Sequence, residues 1–229
     1  MNCGNRTRWG RAGLAAAIAG LLAAGCTNLF VPKHKVLVDS IAAPGLVLNA
    51  SGTSYRLVAK KSVVSSTQAQ VGVIKACVDA ALASKGMFEP PPHAAPDLFI
   101  EVAYGVDTTP RVDAGARETF LHLSARTNPT KAIDRGSGPE VWDVRVAVLG
   151  VAGRMETAMP LLSAVAADYM GTDTKLEMRI EIPQNSPNVS AVRTTAIKTL
   201  EASAPRAAGE GGPDAAAAAK AAVKPVMTK

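Results

Sequence analysis

Six short segments rich in strand-forming residues limit the fold of this chain more than any other feature. The clearest is Lys175–Ile182, where apolar residues alternate without interruption, so we expect one face on a core and the other in water. The other five predicted strands are Lys35–Ile41, Ser54–Ala59, Asp97–Val106, Glu118–Ala125 and Val141–Leu149.

Two of these strands have a face that the sequence defines well. Asp97–Val106 is the best candidate for a central strand, and its shared face comprises Leu98, Ile100, Val102, Tyr104 and Val106. In Val141–Leu149 the apolar face comprises Trp142, Val144, Val146 and Val148. The opposite face of that strand comprises Asp143, Arg145 and Ala147.

Helical spacing predicts an amphipathic helix between the second and third strands. Its apolar stripe comprises Val71, Ile74, Cys77, Val78, Ala81 and Leu82. Ser65 or Ser66 can cap its start, and Lys85-Gly86 supplies a cation and a glycine typical of a helix end.

Two more helices follow. Thr157 can cap the second, which would hold Pro160 in its first turn and end at Gly171. Its stripe comprises Leu162, Val165, Ala166 and Tyr169. The third runs from Pro187 to about Ala202. The sequence therefore predicts an α+β fold, a single domain with a mixed, mostly antiparallel sheet of about six strands and two or three helices packed on it.

The first 25 residues have the layout of an export signal. Arg6, Arg8 and Arg11 precede an apolar run over residues 12–24, which ends in the small pair Ala24-Gly25 before Cys26. As a helix this run would extend only about 20 Å, against a bilayer core of about 30 Å. We therefore expect cleavage rather than a membrane span.

Ala24-Gly25-Cys26 resembles the end of a bacterial lipoprotein signal. The resemblance implies acyl chains such as palmitate on Cys26, which would hold the protein on a membrane through two or three chains. It also implies the outer membrane, facing the periplasm, in a host with two membranes, because Thr27 rather than Asp follows the cysteine. Two alternatives stay open: ordinary secretion with Cys26 unmodified, and an uncleaved anchor.

Cleavage before Cys26 changes the charge and the cysteine count of the protein. The formal charge would fall from +6 to +3 with the loss of three arginines. Aromatic residues make up only 4% of the chain and no dense basic cluster is present, so we expect no nucleic-acid binding. Cys77 would remain without a partner, as a buried thiol in the core.

The expected domain boundaries follow from these patterns. The signal peptide covers 1–25, the lipidated N-terminus and spacer 26–33, and the α+β domain 34–203. From 204 to 229 the chain is mostly Ala, Gly, Pro and Lys, so we expect a disordered tail.

Three segments carry a wider resemblance: Ser51-Gly52-Thr53-Ser54-Tyr55-Arg56-Leu57, the helix ending Ser84-Lys85-Gly86, and Pro96-Asp97-Leu98-Phe99-Ile100-Glu101-Val102. By these the chain resembles bacterial lipoproteins of the domain-of-unknown-function 4136 type. The run from Pro160 through Thr174 resembles uncharacterised relatives of that kind. The likeness covers about residues 35–200 and implies an α+β envelope domain behind a lipid anchor, with no catalytic residue.

Side chains that could carry chemistry are scattered in the sequence. His34, His93 and His122 match no metal-ligand spacing, and the glycine segments 136–138 and 150–153 lack the Gly-Lys-Ser/Thr ending of a phosphate loop. Asp168 and Asp173 flank Gly171, and paired carboxylates can act as acid and base, but a helix end and an Asx turn explain them equally well. Glu177, Arg179 and Glu181 read as a solvated strand face.

We therefore expect no catalytic residue, no cofactor and no metal, and Cys26 as the one modified position. The leading hypothesis is a non-enzymatic envelope lipoprotein that binds or scaffolds an envelope protein or a cell-wall component. The second is a periplasmic carrier of a lipid or small apolar ligand, held between helices and sheet. The third is a hydrolase without a recognisable motif, in which Asp168 or Asp173 would take part.

Overall fold

A computed structural model describes residues 31–45, 49–60, 68–107, 118–134, 136–149 and 155–204. In these residues six strands and three helices follow one another as β1 Lys33–Ala42, β2 Tyr55–Ala59, α1 Gln68–Ser84, β3 Leu98–Asp107, β4 Glu118–Thr127, β5 Glu140–Leu149, α2 Met155–Tyr169, β6 Met178–Pro183 and α3 Pro187–Ser203. The predicted α+β class is confirmed.

The strands form one mixed sheet in the order β2-β3-β4-β5-β1-β6. The strands β2 and β3 run parallel, and every other neighbouring pair is antiparallel. The expected mostly antiparallel sheet is therefore confirmed. β3, which we expected at the centre, has neighbours on both sides but lies one strand in from the β2 edge, and β4 and β5 form the middle.

The core lies between one face of the sheet and the helices. That face carries the predicted apolar residues of β5, with Trp142, Val144, Val146 and Val148 all at most 1% exposed. α2 packs on β4 and β5, and α1 and α3 pack against α2 and against each other. The opposite face of the sheet, here called the open face, carries Asp143, Arg145 and Ala147 as predicted.

α2 is buried around its whole circumference, which its predicted four-residue stripe understates. Every residue from Ala158 to Ala167 is buried. The cause is tertiary, because the sheet covers one side of this helix while α1 and α3 cover the other. Ten consecutive small or apolar side chains suit that central position.

Three local predictions were wrong in detail. α2 includes Met155, which packs against the core, so Thr157 lies inside the helix rather than capping it. Val71 of the predicted α1 stripe is 44% exposed, although the other five members are buried. β6 begins three residues later than Lys175, because a turn at Asp173–Lys175 holds the chain out of the ladder and leaves Leu176 77% exposed.

Candidate functional site

The predicted lipidation site, Cys26, lies outside the described residues. So do the signal segment 1–25, the tail from residue 205, the capping serines Ser65 and Ser66, and the glycine segment 150–153. β1, the strand that follows the predicted spacer, begins at Lys33 and lies one strand in from the β6 edge. An anchor on Cys26 would therefore reach the domain close to that edge.

An open groove of about 890 Å³ follows β2, at the other edge of the sheet. Its lining comprises Arg56, Leu57, Val58, Ala59, Glu89, Pro90, Pro91, Pro92, Ile133 and Asp134. Ile133 in this lining is an exposed apolar side chain at 44%, and Phe88, which directly precedes the lining residue Glu89, is 50% exposed. The groove therefore has a strand as one wall, a proline segment and a loop as the others, and apolar positions beside it.

The backbone of β2 points partly into this groove. In a parallel pair, alternate residues direct both backbone groups to the same neighbour. The carbonyl of Ser54 accepts from the N–H of Leu98 at 3.0 Å, and the N–H of Lys60 donates to the carbonyl of Val102 at 3.0 Å, so even-numbered residues face β3. The backbone groups of Leu57 and Ala59 face outward, where no described strand pairs with them.

Arg56 fixes the two loops that wall the groove. Its guanidinium donates to three carbonyls, Ile133 at 2.6 Å, Pro91 at 3.1 Å and Ala94 at 3.0 Å. Each of these carbonyl groups belongs to a loop residue, outside the strands and helices of the fold. A single β2 side chain thereby holds the proline segment and the 128–139 loop at a set separation.

Asp97 joins β2, β3 and the same loop through one carboxylate. It accepts from the Ser54 hydroxyl at 2.7 Å and the Ser54 N–H at 3.1 Å, and from Lys131 Nζ at 2.8 Å. The Lys131 hydrogen bond, followed by those from Ser54, lowers the pKa of Asp97 to about 2. The carboxylate is therefore ionised at every physiological pH.

Asn128, at the start of the loop after β4, holds that loop through hydrogen bonds of its side chain. Its side chain is 3% exposed, and its amide donates to the carbonyls of Pro96 and Ala132, each at 2.8 Å, and accepts from the N–H of Ala132 at 3.0 Å. Gly138 closes the loop, because a Cβ there would lie 2.5 Å from the carbonyl oxygen of Thr127. Gly138 is thus close-packed against Thr127 and Pro129.

A buried tyrosine connects the groove to α1. Tyr55 is 2% exposed and its hydroxyl donates to Asp79 at 2.9 Å, while Lys75 bridges Asp79 at 2.7 Å and Glu89 at 2.6 Å. Burial, and then the charge of Asp79, raise the pKa of Tyr55, which stays protonated. Glu89, at the groove's rim, is therefore held by Lys75 on α1.

This arrangement is suited to binding an extended polypeptide. Outward backbone donors and acceptors at Leu57 and Ala59 can extend the sheet by one strand, and Ile133 and the prolines can contact apolar side chains. Metal-ligating side chains do not cluster anywhere in the described part of the chain.

The predicted acid pair, Asp168 and Asp173, is engaged in two separate ion pairs. Asp168 bonds Lys85 at 2.7 Å, which joins the end of α2 to the end of α1. Asp173 accepts from the N–H of Lys175 at 2.9 Å, which is the Asx turn considered from sequence, and its Lys175 contact lowers its pKa.

The remaining predicted positions lie on the surface or in the core. Glu177, Arg179 and Glu181 are exposed, as expected of a solvated face. His93 is exposed and His34 lies in β1. Cys77 is a free cysteine, 2% exposed, and burial raises the pKa of its thiol to about 11, as expected of a core position.

Sequence reasoning missed a polar network on the open face. His122 Nε2 lies 2.6 Å from Asp143 Oδ2, and the Ser124 hydroxyl donates to Glu140 at 2.8 Å. Arg145 lies over the ring of Phe120 at 4.4 Å from its centroid. These residues are distant in sequence, and only the register of β4 against β5 brings them together. The alternation of polar residues in both strands was the available signal.

The ligand-carrier hypothesis requires space between helices and sheet. A cavity described there, bounded by β1, α2 and α3, has about 60 Å³ and is lined in part by His34, Leu161 and Arg193. Ligand pockets usually have about 300–1,000 Å³. A second cavity of about 300 Å³ lies among α1, α2 and α3, with Lys85 and Asp168 at its lining.

Comparisons with known proteins identify no family. No family model matches the chain, and no curated protein matches it. A PDZ domain protein from Parabacteroides distasonis has a TM-score of 0.49 and 14% identity over 74% of this chain. This chain spans only 42% of that protein. The resemblance to the domain-of-unknown-function 4136 type stays a prediction.

Two dodecamer structures of PelC from Paraburkholderia phytofirmans are also similar. One has a TM-score of 0.36 and 11% identity, covering 57% of this chain and 93% of that one. The other has a TM-score of 0.35 and 10% identity, covering 57% and 94%. Scores below 0.5 carry no argument about function.

Within the described residues, no helix combines the length and hydropathy that a membrane crossing needs.

Proposed function

We propose that this protein is a lipid-anchored, non-enzymatic envelope protein whose β2 groove binds an extended segment of an envelope protein partner. The observation that carries the binding role is the outward backbone of Leu57 and Ala59 beside the groove walls. The predicted signal peptide 1–25, directly followed by Cys26, and the predicted resemblance to envelope lipoproteins support the location.

The positions of groove and anchor are compatible. β2 and β1 occupy the first and fifth places in the sheet, so about 19 Å of sheet separates them at a strand spacing of about 4.8 Å. A tether at the start of β1 therefore leaves the β2 edge accessible to a partner. The groove's loops are already held by Arg56, Asp97 and Asn128, so binding would not need to order them.

The anchor is tested by replacing Cys26 with Ser and labelling cells with a clickable fatty acid. We expect the wild type to carry the label and to sediment with membranes, and Cys26→Ser to lose both. Retention of label and membrane association by the variant would contradict the anchor while leaving the groove untested by this experiment.

The groove is tested by photo-crosslinking in intact cells. A photoreactive phenylalanine replaces Ile133 at the groove or, as a control, Ile197 on α3, since the two side chains are similarly exposed at 44% and 49%. We expect discrete protein adducts from position 133 and none of the same mass from 197. Identical patterns, or no adduct from 133, would contradict the proposal, and adducts that a muramidase digests would assign the groove to cell wall instead.

A further inference from the structure

β6 forms the edge of the sheet opposite the groove. Among the described residues it pairs only with β1, so its second side has no strand neighbour. The strand has six residues, and its side chains alternate between partly buried and exposed. Met178, Ile180 and Ile182 lie on the helix side, and Arg179 and Glu181 lie on the open face.

The hydrogen-bond pattern shows which backbone groups of β6 point outward. The N–H of Gln184 donates to the carbonyl of Pro32 at 2.9 Å. In an antiparallel pair, hydrogen-bonded positions recur at every second residue, so Ile182 and Ile180 also face β1. The backbone N–H and C=O groups of Arg179 and Glu181 therefore point away from the sheet, available to another strand.

Three antiparallel registers of two β6 strands have their twofold axis within the stretch that carries these outward groups, at Arg179, Ile180 or Glu181. A twofold axis at Arg179 would set the two arginines face to face, and an axis at Glu181 would do the same for the two glutamates. An axis at Ile180 sets Arg179 of each copy opposite Glu181 of the other. Like charges directly opposite destabilise a strand pair and opposite charges stabilise it, so the charges select the last register.

We propose that β6 is a self-association edge, at which two copies of this chain pair antiparallel about Ile180. Each copy's Arg179 and Glu181 exchange two backbone hydrogen bonds with their counterparts, and their side chains form ion pairs on the open face. On the helix side, Met178 of one copy lies opposite Ile182 of the other, so apolar contacts accompany the charges. The pairing is isologous, and therefore closes at a dimer.

The present partner of Glu181 does not oppose this arrangement. Lys33 bonds Glu181 at 3.2 Å, but the two side chains are 58% and 52% exposed, so the pair is weak and free to rearrange. Lys35 lies beside Glu181 in the register of β1 and β6. In the dimer Glu181 would lie between this lysine and the arginine of the second copy.

The proposed dimer is of modest strength. Pro183 also points outward but has no N–H, so the new ladder is short. We therefore expect a concentration-dependent equilibrium, favoured where a membrane anchor concentrates the chains. The joined sheet would have a β2 groove at each outer edge, so this inference does not depend on what the groove binds.

Charge exchange tests the register on the full chain in detergent. Light scattering over a series of protein concentrations should show a monomer–dimer equilibrium for the wild type and give its dissociation constant. Arg179→Glu alone, or Glu181→Arg alone, should raise the dimer dissociation constant by about tenfold or more, because like charges then meet. The double exchange should restore it, and a mixture of the two single variants should form the mixed dimer.

Unchanged circular dichroism, and an unchanged melting temperature in dilute samples in which the chain is monomeric, would show that each variant folds. A wild type that stays monomeric at the highest concentration of the series, or single exchanges that leave the dissociation constant unchanged, would overturn the proposal. A double exchange that fails to restore the dimer would do the same.

A cysteine at the axis gives an independent readout. At a non-hydrogen-bonded antiparallel position, the two α-carbons lie about 4.5 Å apart, which is within reach of a disulfide. Ile180→Cys should therefore crosslink to itself under mild oxidation, and Ile197→Cys on α3 should not. Crosslinking of position 180 to another protein, or equal crosslinking at both positions, would overturn the assignment.

Discussion

The two edge strands of this sheet, β2 and β6, are both short, but different kinds of interaction support them. The β2 edge is supported by loops that polar side chains hold in place, the buried Asn128, the partly buried Arg56 and the exposed Asp97, each bonding two or more groups. The β6 edge rests on alternate apolar side chains and one exposed ion pair.

This difference predicts how the two edges respond to change. Buried polar groups are costly to leave without partners, whereas exposed ion pairs contribute little. The loops of the β2 edge should therefore lose stability with single polar substitutions, and the β6 edge should tolerate them. Rigid loops suit a preformed groove, and a bare strand suits pairing with a copy of itself.

The largest effect is expected from Asn128→Ala. The substitution leaves the buried carbonyl of Pro96 and both backbone groups of Ala132 without their partner, so the free energy of unfolding should fall by about 2–4 kcal/mol. Urea denaturation measures this. Asn188→Ala, at an exposed position in α3, is the control and should change stability by less than about 0.5 kcal/mol. Equal losses of unfolding free energy for the two variants would contradict the proposed stabilisation of the β2 edge by buried polar contacts.

A smaller effect is expected from Gly138→Ala. Its Cβ would lie 2.5 Å from the carbonyl oxygen of Thr127 and 2.7 Å from Pro129 Cδ, so the loop must move, at a cost of about 1–3 kcal/mol. Gly72→Ala is the matched control, because its nearest neighbour is 3.9 Å away in a helix. That change should stabilise by about 0.5–1 kcal/mol. Thermal unfolding distinguishes the two signs, and a neutral Gly138→Ala would show that the loop yields easily.

The third prediction concerns how the stability of the protein depends on pH. The pKa of Asp97 is lowered to about 2 in the folded chain, below an ordinary value of about 3.9, so its contribution is complete above about pH 4. It is lost as the pH falls towards 2. The side chain is 47% exposed, so the loss should be less than about 1 kcal/mol.

Asp97→Asn should flatten this part of the stability profile between pH 4 and 2, measured by urea denaturation at each pH. Identical slopes for Asp97→Asn and the wild type would show that this carboxylate does not couple the loop to β2.

The smallest effect is expected at the β6 edge. Lys33→Met removes the ion pair with Glu181, and because both side chains are more than half exposed, stability should change by less than about 0.5 kcal/mol. Dilute samples keep the chain monomeric during this measurement. A loss comparable with that of Asn128→Ala would mean that the two edges are not built differently.

Much of the fold was readable from local patterns. All six strands and three helices occur where sequence patterns predict them, because alternation and helical spacing follow from which side of an element meets the core. The ends were less predictable. β6 starts three residues after the predicted start, because the turn at Asp173–Lys175 occupies residues that the alternating pattern assigned to the strand. α2 starts before the predicted cap Thr157, because Met155 packs against the core.

The groove was not predictable in the same way. Arg56, Asp97 and Asn128 match no binding or catalytic motif, and each binds a partner at least 30 positions away in the chain. No local sequence pattern predicts that Arg56 contacts Ile133, or that His122 contacts Asp143. Such pairs depend on strand order and register, which many sequences with the same patterns could satisfy differently.

The sequence by itself determined the types of element, the apolar faces of β3, β5 and β6 and the expectation of an anchor at Cys26, since each depends on residues close together in the chain. Tertiary structure decided that α2 would be buried on all sides, that β2 and β6 would be the edges, and that two loops distant in sequence would wall the groove beside β2. The physical reason is that burial and edge position are properties of neighbours in space, and strand order assigns those neighbours.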